Sequence, residues 1–183
     1  GTILDRGICM KAEEVIMDAV IEASRKLPIE AVKALEKARE EENGNSKVVL
    51  NAILDNLALA EKLEIPLCQD TGMMWCWAEI GRNARLDMVK LEKLINSSLS
   101  KAFKKGLFRT SVVSDVMGER KNTGDNLPAV INYSLTSGSD ITLHFLLKGF
   151  GSENCSSVTM LNPTVGKEGV VEAVVESMKK AGA

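Results

Sequence analysis

The chain has 183 residues, is 45% hydrophobic and 26% charged, and carries a formal net charge of −2. That is ordinary globular composition, ample for a real core, and it reads as a single domain over residues 1–183. The absence of clustered Lys and Arg argues against nucleic-acid binding, and no apolar run reaches the ~18 residues of a membrane span. The N-terminus has no signal-peptide pattern and no initiator Met, which fits a processed or trimmed end.

The first sixty residues read as helices. Val15, Ile16, Ala19, Val20, Ala23 and Leu27 keep helical spacing until Pro28. Ile29, Val32, Leu35 and Ala38 form a second stripe that stops near Asn43-Gly44. Ser46 is the expected N-cap of a third helix carrying Val49, Ile53, Leu57, Ala60 and Leu63. That helix is apolar nearly all round, so burial is expected. Pro66 disfavours a helical Ile65 and ends it.

Met73 to Ile80 reads as a short strand and Gly81-Arg82-Asn83 as a turn. Asp87 is placed to cap a helix with Met88, Leu91, Ile95 and Ala102 on one face. Lys104 and Lys105 suit its negative end, and Gly106 stops it. Thr110 to Val116 is expected to be another short strand. Glu119 to Asn126 is polar loop. Alternation at Ile131, Tyr133 and Leu135, then at Ile141, Leu143, Phe145 and Leu147, predicts a β-hairpin near 129–147 turning at Thr136 to Asp140. A loop follows, then an amphipathic helix with Val170, Val171, Val174, Val175 and Met178. The expected class is α+β: N-terminal helices, a small, mostly antiparallel sheet, and a C-terminal helix.

The four cysteines, Cys9, Cys68, Cys76 and Cys155, include no C-x-x-C pair. Zinc ribbons and thioredoxin motifs are therefore not indicated. A chain of this size needs no disulfide, so a cytoplasmic protein with reduced thiols is expected.

Four stretches could carry chemistry. In Cys68-Gln69-Asp70-Thr71-Gly72, the plain reading is an inert cysteine on a polar turn. The other reading is a site. A thiolate is a soft metal ligand, Asp70 can transfer a proton, and Gln69 can donate and accept hydrogen bonds. Pro66 fixes the approach, and Gly72 lets backbone come close. In Phe108-Arg109-Thr110-Ser111, a lone Arg is ordinarily a solvated charge, yet Arg is also the best planar clamp for a carboxylate. Lys121 to Pro128 is by composition a turn. Lys148-Gly149-Phe150-Gly151-Ser152-Glu153-Asn154 fails the dinucleotide fingerprint because Asn154 replaces the third glycine. It remains a glycine loop whose N–H groups could face an anion. His144, the only histidine, falls on the polar face of the second hairpin strand, where a surface or sheet-edge position is expected.

Taken in order, PLCQDTG at Pro66–Gly72, FRTSVV at Phe108–Val113, NTGDNLPA at Asn122–Ala129 and KGFGSEN at Lys148–Asn154 resemble the N-terminal region of the α part of class I, iron–sulfur-dependent fumarases and L-tartrate dehydratases. The likeness runs from about Asn51 to the terminal helix. It implies a hydro-lyase that interconverts fumarate and L-malate, a tricarboxylic acid cycle step. The alternative within the family is L-tartrate dehydration to oxaloacetate. A reading of another class is a non-catalytic structural or thiol-sensing fragment.

The resemblance also implies a [4Fe–4S] cluster held by three cysteines, with one iron open as a Lewis acid. Cys68 matches the first ligand. The second, in a Cys-Pro-Pro context after the terminal helix, and the third are not in this sequence, so one ligand of three is present and the chain alone is expected to be inactive. Cys9, Cys76 and Cys155 match no ligand position. Asp70 is implied to handle the hydroxyl's proton together with a histidine other than His144. Gln69 and Arg109 are implied to bind the dicarboxylate, and Gly151 to offer a backbone N–H. The carbon base, a β subunit or C-terminal domain, and oligomer formation are implied to lie beyond this chain.

Overall fold

The computed structural model describes the backbone of residues 6–182, and side chains from residue 11 on, Ser152 excepted. The chain divides into two compact units, Gly1–Gly149 and Phe150–Ala183.

The first unit begins with three helices, α1 (Arg6–Arg25), α2 (Ile29–Glu41) and α3 (Gly44–Leu63). Strand β1 (Met73–Gly81), helix α4 (Met88–Lys105) and strands β2 (Val130–Thr136) and β3 (Ile141–Lys148) complete it. The class is α+β, as the sequence implies. Asp87 caps α4: its Oδ1 accepts from Val89 N at 3.0 Å and Lys90 N at 3.2 Å. Replacing Asp87 by Ala should cost about 1 kcal/mol. Thermal denaturation of the chain should show that as a melting point lowered by about 2–4 °C.

The sheet departs from expectation. Its order is β2-β1-β3, with β1 parallel to β2 and antiparallel to β3. It is mixed rather than mostly antiparallel, and β2 and β3 do not pair as a hairpin. Alternation identifies strands but not their neighbours, and β1 supplies the hydrogen bonds that both need. The 136–140 connection passes across the end of β1 instead. Gly81 N donates to Asp140 O at 2.8 Å, Arg82 N to Thr136 O at 2.9 Å, and Asn83 N to Gly138 O at 2.9 Å. A Cβ on Gly81 would sit 2.7 Å from Gly138 O, so the crossing requires glycine there.

One face of β1 makes the core. Met74, Cys76, Ala78 and Ile80 are buried with Val20 and Ile21 of α1 and Leu91, Ile95, Leu99, Ala102 and Phe103 of α4. The other face carries Trp75 and Trp77, stacked at 5.9 Å between ring centres. His144 on edge strand β3 is exposed, 3.6 Å from Glu79, as expected of a sheet-edge residue.

Three further expectations are corrected. α3 starts at Gly44 after Asn43, so Ser46 lies inside its first turn rather than at the cap. Only Ala60 of α3 is buried, while Val48, Val49, Ile53, Leu59 and Leu63 are exposed. An apolar surface is buried only where a neighbour covers it, and periodicity cannot supply the neighbour. Residues 110–116 form no strand beyond a single bridge between Val113 and Asn122. The N–H groups of Ser111 and Val112 go to a side chain, described below, while Ser114 N donates to Lys121 O at 2.8 Å.

The second unit holds two short 3-10 helices, Gly151–Cys155 and Pro163–Val165, and helix α5 (Gly166–Lys180). The C-terminal helix falls where its stripe predicts, with Val170, Val171, Val174, Val175 and Met178 all exposed.

Candidate functional site

The Cys68 loop begins where α3 ends. Glu64 takes a left-handed conformation, φ 54°, which closes the helix. Pro66 then holds the chain extended. Leu67 is pinned on both sides of its peptide. Its N–H donates to Ser24 O of α1 at 2.8 Å, and its carbonyl accepts from Asn56 Nδ2 of α3 at 2.9 Å. Cys68 is thus an exposed thiol next to a clamped residue. Gln69 is exposed and Asp70 half-buried.

Asp70 and Thr71 turn inward. Together with Cys68, Ser24 and Leu147 they help wall a cavity of about 150 Å³. Thr71 is buried, and its Oγ1 has no hydrogen-bond partner among the described residues. Such an atom costs free energy unless water or a ligand meets it. The carbonyl of Lys148 lies where a Cβ on Gly72 would have to go, and Gly72 has φ +67°. Only glycine fits there. Gly149 likewise brings the β3 exit against Asp70. A Cβ built on it would stand 3.1 Å from Asp70 O and 3.3 Å from Asp70 Oδ2.

Arg109 is held by its neighbour. Phe108 is buried in the core and meets Phe103 of α4 edge-on at 5.2 Å. The next residue, Arg109, is left exposed with its guanidinium at the surface. The two loops are joined by Asn126, which lies in the turn-rich Asn122–Ala129 stretch and whose role the sequence alone does not assign. Asn126 is fully buried. Its Nδ2 donates to Gly72 O at 2.7 Å and Arg109 O at 3.2 Å. Its Oδ1 accepts from Ser111 N at 2.8 Å and Val112 N at 2.9 Å. Two signals were available: Asn126 lies within the NTGDNLPA stretch, and Asn tolerates the left-handed region it occupies here, φ 54°.

Gly151 belongs to the second unit, where it opens the first 3-10 helix. Cys155 is exposed in the same short helix. Cys76 lies in the core, where burial pushes its thiol up to about 11 and disfavours the thiolate. The side chain of Cys9 lies outside the described residues.

A fumarate hydratase (Fumerase) family model matches residues 13–183. The chain belongs to that family. It is 34% identical over 178 residues to the "Putative L(+)-tartrate dehydratase subunit alpha" of Methanocaldococcus jannaschii, covering 94% of this chain and 62% of that one. It is 26% identical over 171 residues to the L(+)-tartrate dehydratase subunit alpha of Escherichia coli K12, covering 92% and 56%. It is 27% identical over 148 residues to the "Putative fumarate hydratase class I" of Geobacillus stearothermophilus, covering 79% and 28%. The chain thus spans less than two thirds of the length of these relatives.

Cys68 fits as one donor to a metal centre: a soft thiol, exposed, on a pinned loop. Among the described residues no group of three His, Cys, Asp or Glu side chains could hold a metal ion. Among the described residues Cys68 is thus an exposed thiol that is not grouped with two further ligating side chains into a metal site.

Proposed function

We propose that this chain is part of a hydro-lyase that adds water across the double bond of fumarate to give L-malate, and runs the reverse. One observation carries the reading beyond family membership. Asn126 ties the loop of Cys68 and Asp70 to the segment of Arg109, so a proton-handling carboxylate and a carboxylate-gripping cation share one frame.

In this reading Cys68 supplies one ligand of a [4Fe–4S] cluster, and the other ligands come from protein outside this chain. When bound, such a cluster offers an open iron that polarises the carbon–oxygen bond. The chain's own residues have separate tasks. Asp70 holds or returns the proton of the hydroxyl that is gained or lost. Arg109 grips one carboxylate with its planar fork. Gln69 hydrogen-bonds the substrate. A β subunit or C-terminal domain brings the base for the carbon-bound proton. The assembly is an oligomer in the cytoplasm. No helix among the described residues is long and apolar enough to cross a membrane.

A second reading, L-tartrate dehydration to oxaloacetate, is supported by the names of the Methanocaldococcus and Escherichia relatives. The two substrates differ by one hydroxyl. The test is to assemble the chain with its partner, reconstitute iron and sulfide anaerobically, and assay both. Fumarate hydration with weak tartrate turnover supports the first reading, and the reverse supports the second. If a cluster-loaded assembly acts on neither, both are wrong. A cluster formed equally well with Cys68→Ser would remove Cys68 from the ligands.

A further inference from the structure

We propose that Asn126 is a positioning residue: its carboxamide sets the spacing between the Asp70 loop and the Arg109 segment to suit a four-carbon dicarboxylate. The inference rests on the reading of function given above and deepens it.

A buried carboxamide is costly unless its polar atoms are paired. An Asn side chain has two donor hydrogens and two acceptor lone pairs. Here all four are used, on Gly72 O, Arg109 O, Ser111 N and Val112 N. Two carbonyls face the nitrogen and two N–H groups face the oxygen, so the carboxamide fits in one orientation only. The partners are not scattered. Gly72 is two residues from Asp70, and Arg109 is bonded through its own carbonyl. One contact spans 54 residues of sequence and another 17.

The clamp is itself held on a rigid element. Asn126 N donates to Thr123 Oγ1 at 3.1 Å. Asp125 Oδ2 accepts from Ser100 Oγ of α4 at 3.2 Å, and Ala129 N donates to Asn96 Oδ1 of α4 at 2.9 Å. Asn122 Nδ2 reaches Thr110 O at 3.0 Å, and Thr123 N reaches Val112 O at 2.9 Å. The turn at 122–126 therefore carries the register of α4 to both functional loops. A site needs this kind of support, because misplacement by about 1 Å can cost about 10²-fold in rate.

Two variants and one wild-type measurement test it. Asn126→Gly keeps the left-handed backbone and removes all four side-chain bonds. Amide exchange at Ser111 and Val112 should then accelerate by about tenfold or more. Cys76 should stay unreactive to alkylation, which reports an intact core. In the assembled enzyme, assayed well below its melting point, KM should rise and kcat should fall, with kcat/KM down by about 10²-fold. Asn126→Asp keeps an acceptor for the two N–H groups but turns its second oxygen onto the Gly72 and Arg109 carbonyls, so it should recover none of that loss. A residue that served stability alone would lower the melting point and leave both constants of the folded enzyme unchanged. That result overturns the proposal. Should Asn126→Gly fail to fold, the wild-type chain decides. Side-chain amide protons of Asn126 that exchange as fast as those of the exposed Asn83 overturn the proposal, and strongly protected ones support it. A wild-type assembly that turns over no four-carbon dicarboxylate overturns the proposed function instead, so the two failures are distinguishable.

Discussion

Replacing Asp70 by Asn is expected to lower kcat by about 10²–10⁴-fold, the usual contribution of a placed general acid or base. The substitution keeps size and shape and removes the ability to take up a proton. Asp70 is half-buried against the β3 exit, with Gly149 leaving room for its carboxyl. An amide has nearly the same size as the carboxyl it replaces, so the change is one of charge and proton affinity rather than of bulk. Three readouts separate chemistry from structure. The melting temperature should move by no more than a few degrees. Cys76 should remain shielded from alkylation, since it is fully buried. Iron and sulfide uptake by the assembled protein should be retained, since Cys68 is untouched. Single-turnover assays should show the loss in the chemical step. A variant that turns over normally would remove Asp70 from the proton path. One that loses cluster and activity together would show that Asp70 builds the site rather than acting in it.

The legible parts of this fold are those decided within a few residues. Pro28 separates α1 from α2, Asp87 caps α4, and Gly106 closes it, because capping and backbone restriction are local effects. The β2 and β3 strands are visible in their alternation for the same reason. What alternation cannot show is that β1 lies between them. That is a long-range choice made by hydrogen bonding, and it converts an expected hairpin into a pair split around β1, which runs parallel to β2 and antiparallel to β3. The burial of α3 fails similarly. Its apolar residues are real, but cover must come from another surface, and within the described chain only Ala60 is fully buried while Leu50, Leu54 and Leu57 are half-covered. The Cys68 and Arg109 stretches draw notice by composition alone. Their connection does not, because Asn126 looks like any other turn residue until the chain folds. The same residue explains the missing strand at 110–116. Ser111 and Val112 donate to a carboxamide rather than to a neighbouring strand.

Arg109 should govern substrate affinity. At an effective dielectric of ~20, opposite charges ~4 Å apart attract by about 4 kcal/mol before desolvation is subtracted. Arg109 is exposed in this chain, so part of that attraction is screened by water. Charge-assisted hydrogen bonds are each worth about 1.5–3 kcal/mol. Losing a two-pronged grip by Arg109→Ala is therefore expected to raise KM for the dicarboxylate by about 10²-fold or more, since ~1.4 kcal/mol is tenfold. Arg109→Lys keeps the charge and loses the fork, so a smaller rise of about tenfold is expected. The backbone should be indifferent to both changes. Asn126 holds position 109 through its carbonyl, and Phe108 holds it through the core, neither of which involves the guanidinium. The melting temperature should accordingly stay near the wild-type value. Competition by a monocarboxylate supplies the sharper measurement. If Arg109 grips one of two carboxylates, its loss should erode the preference for dicarboxylate over monocarboxylate inhibitors. An unchanged KM and an unchanged preference would exclude Arg109 from the binding site and leave its position beside Asn126 a matter of folding alone.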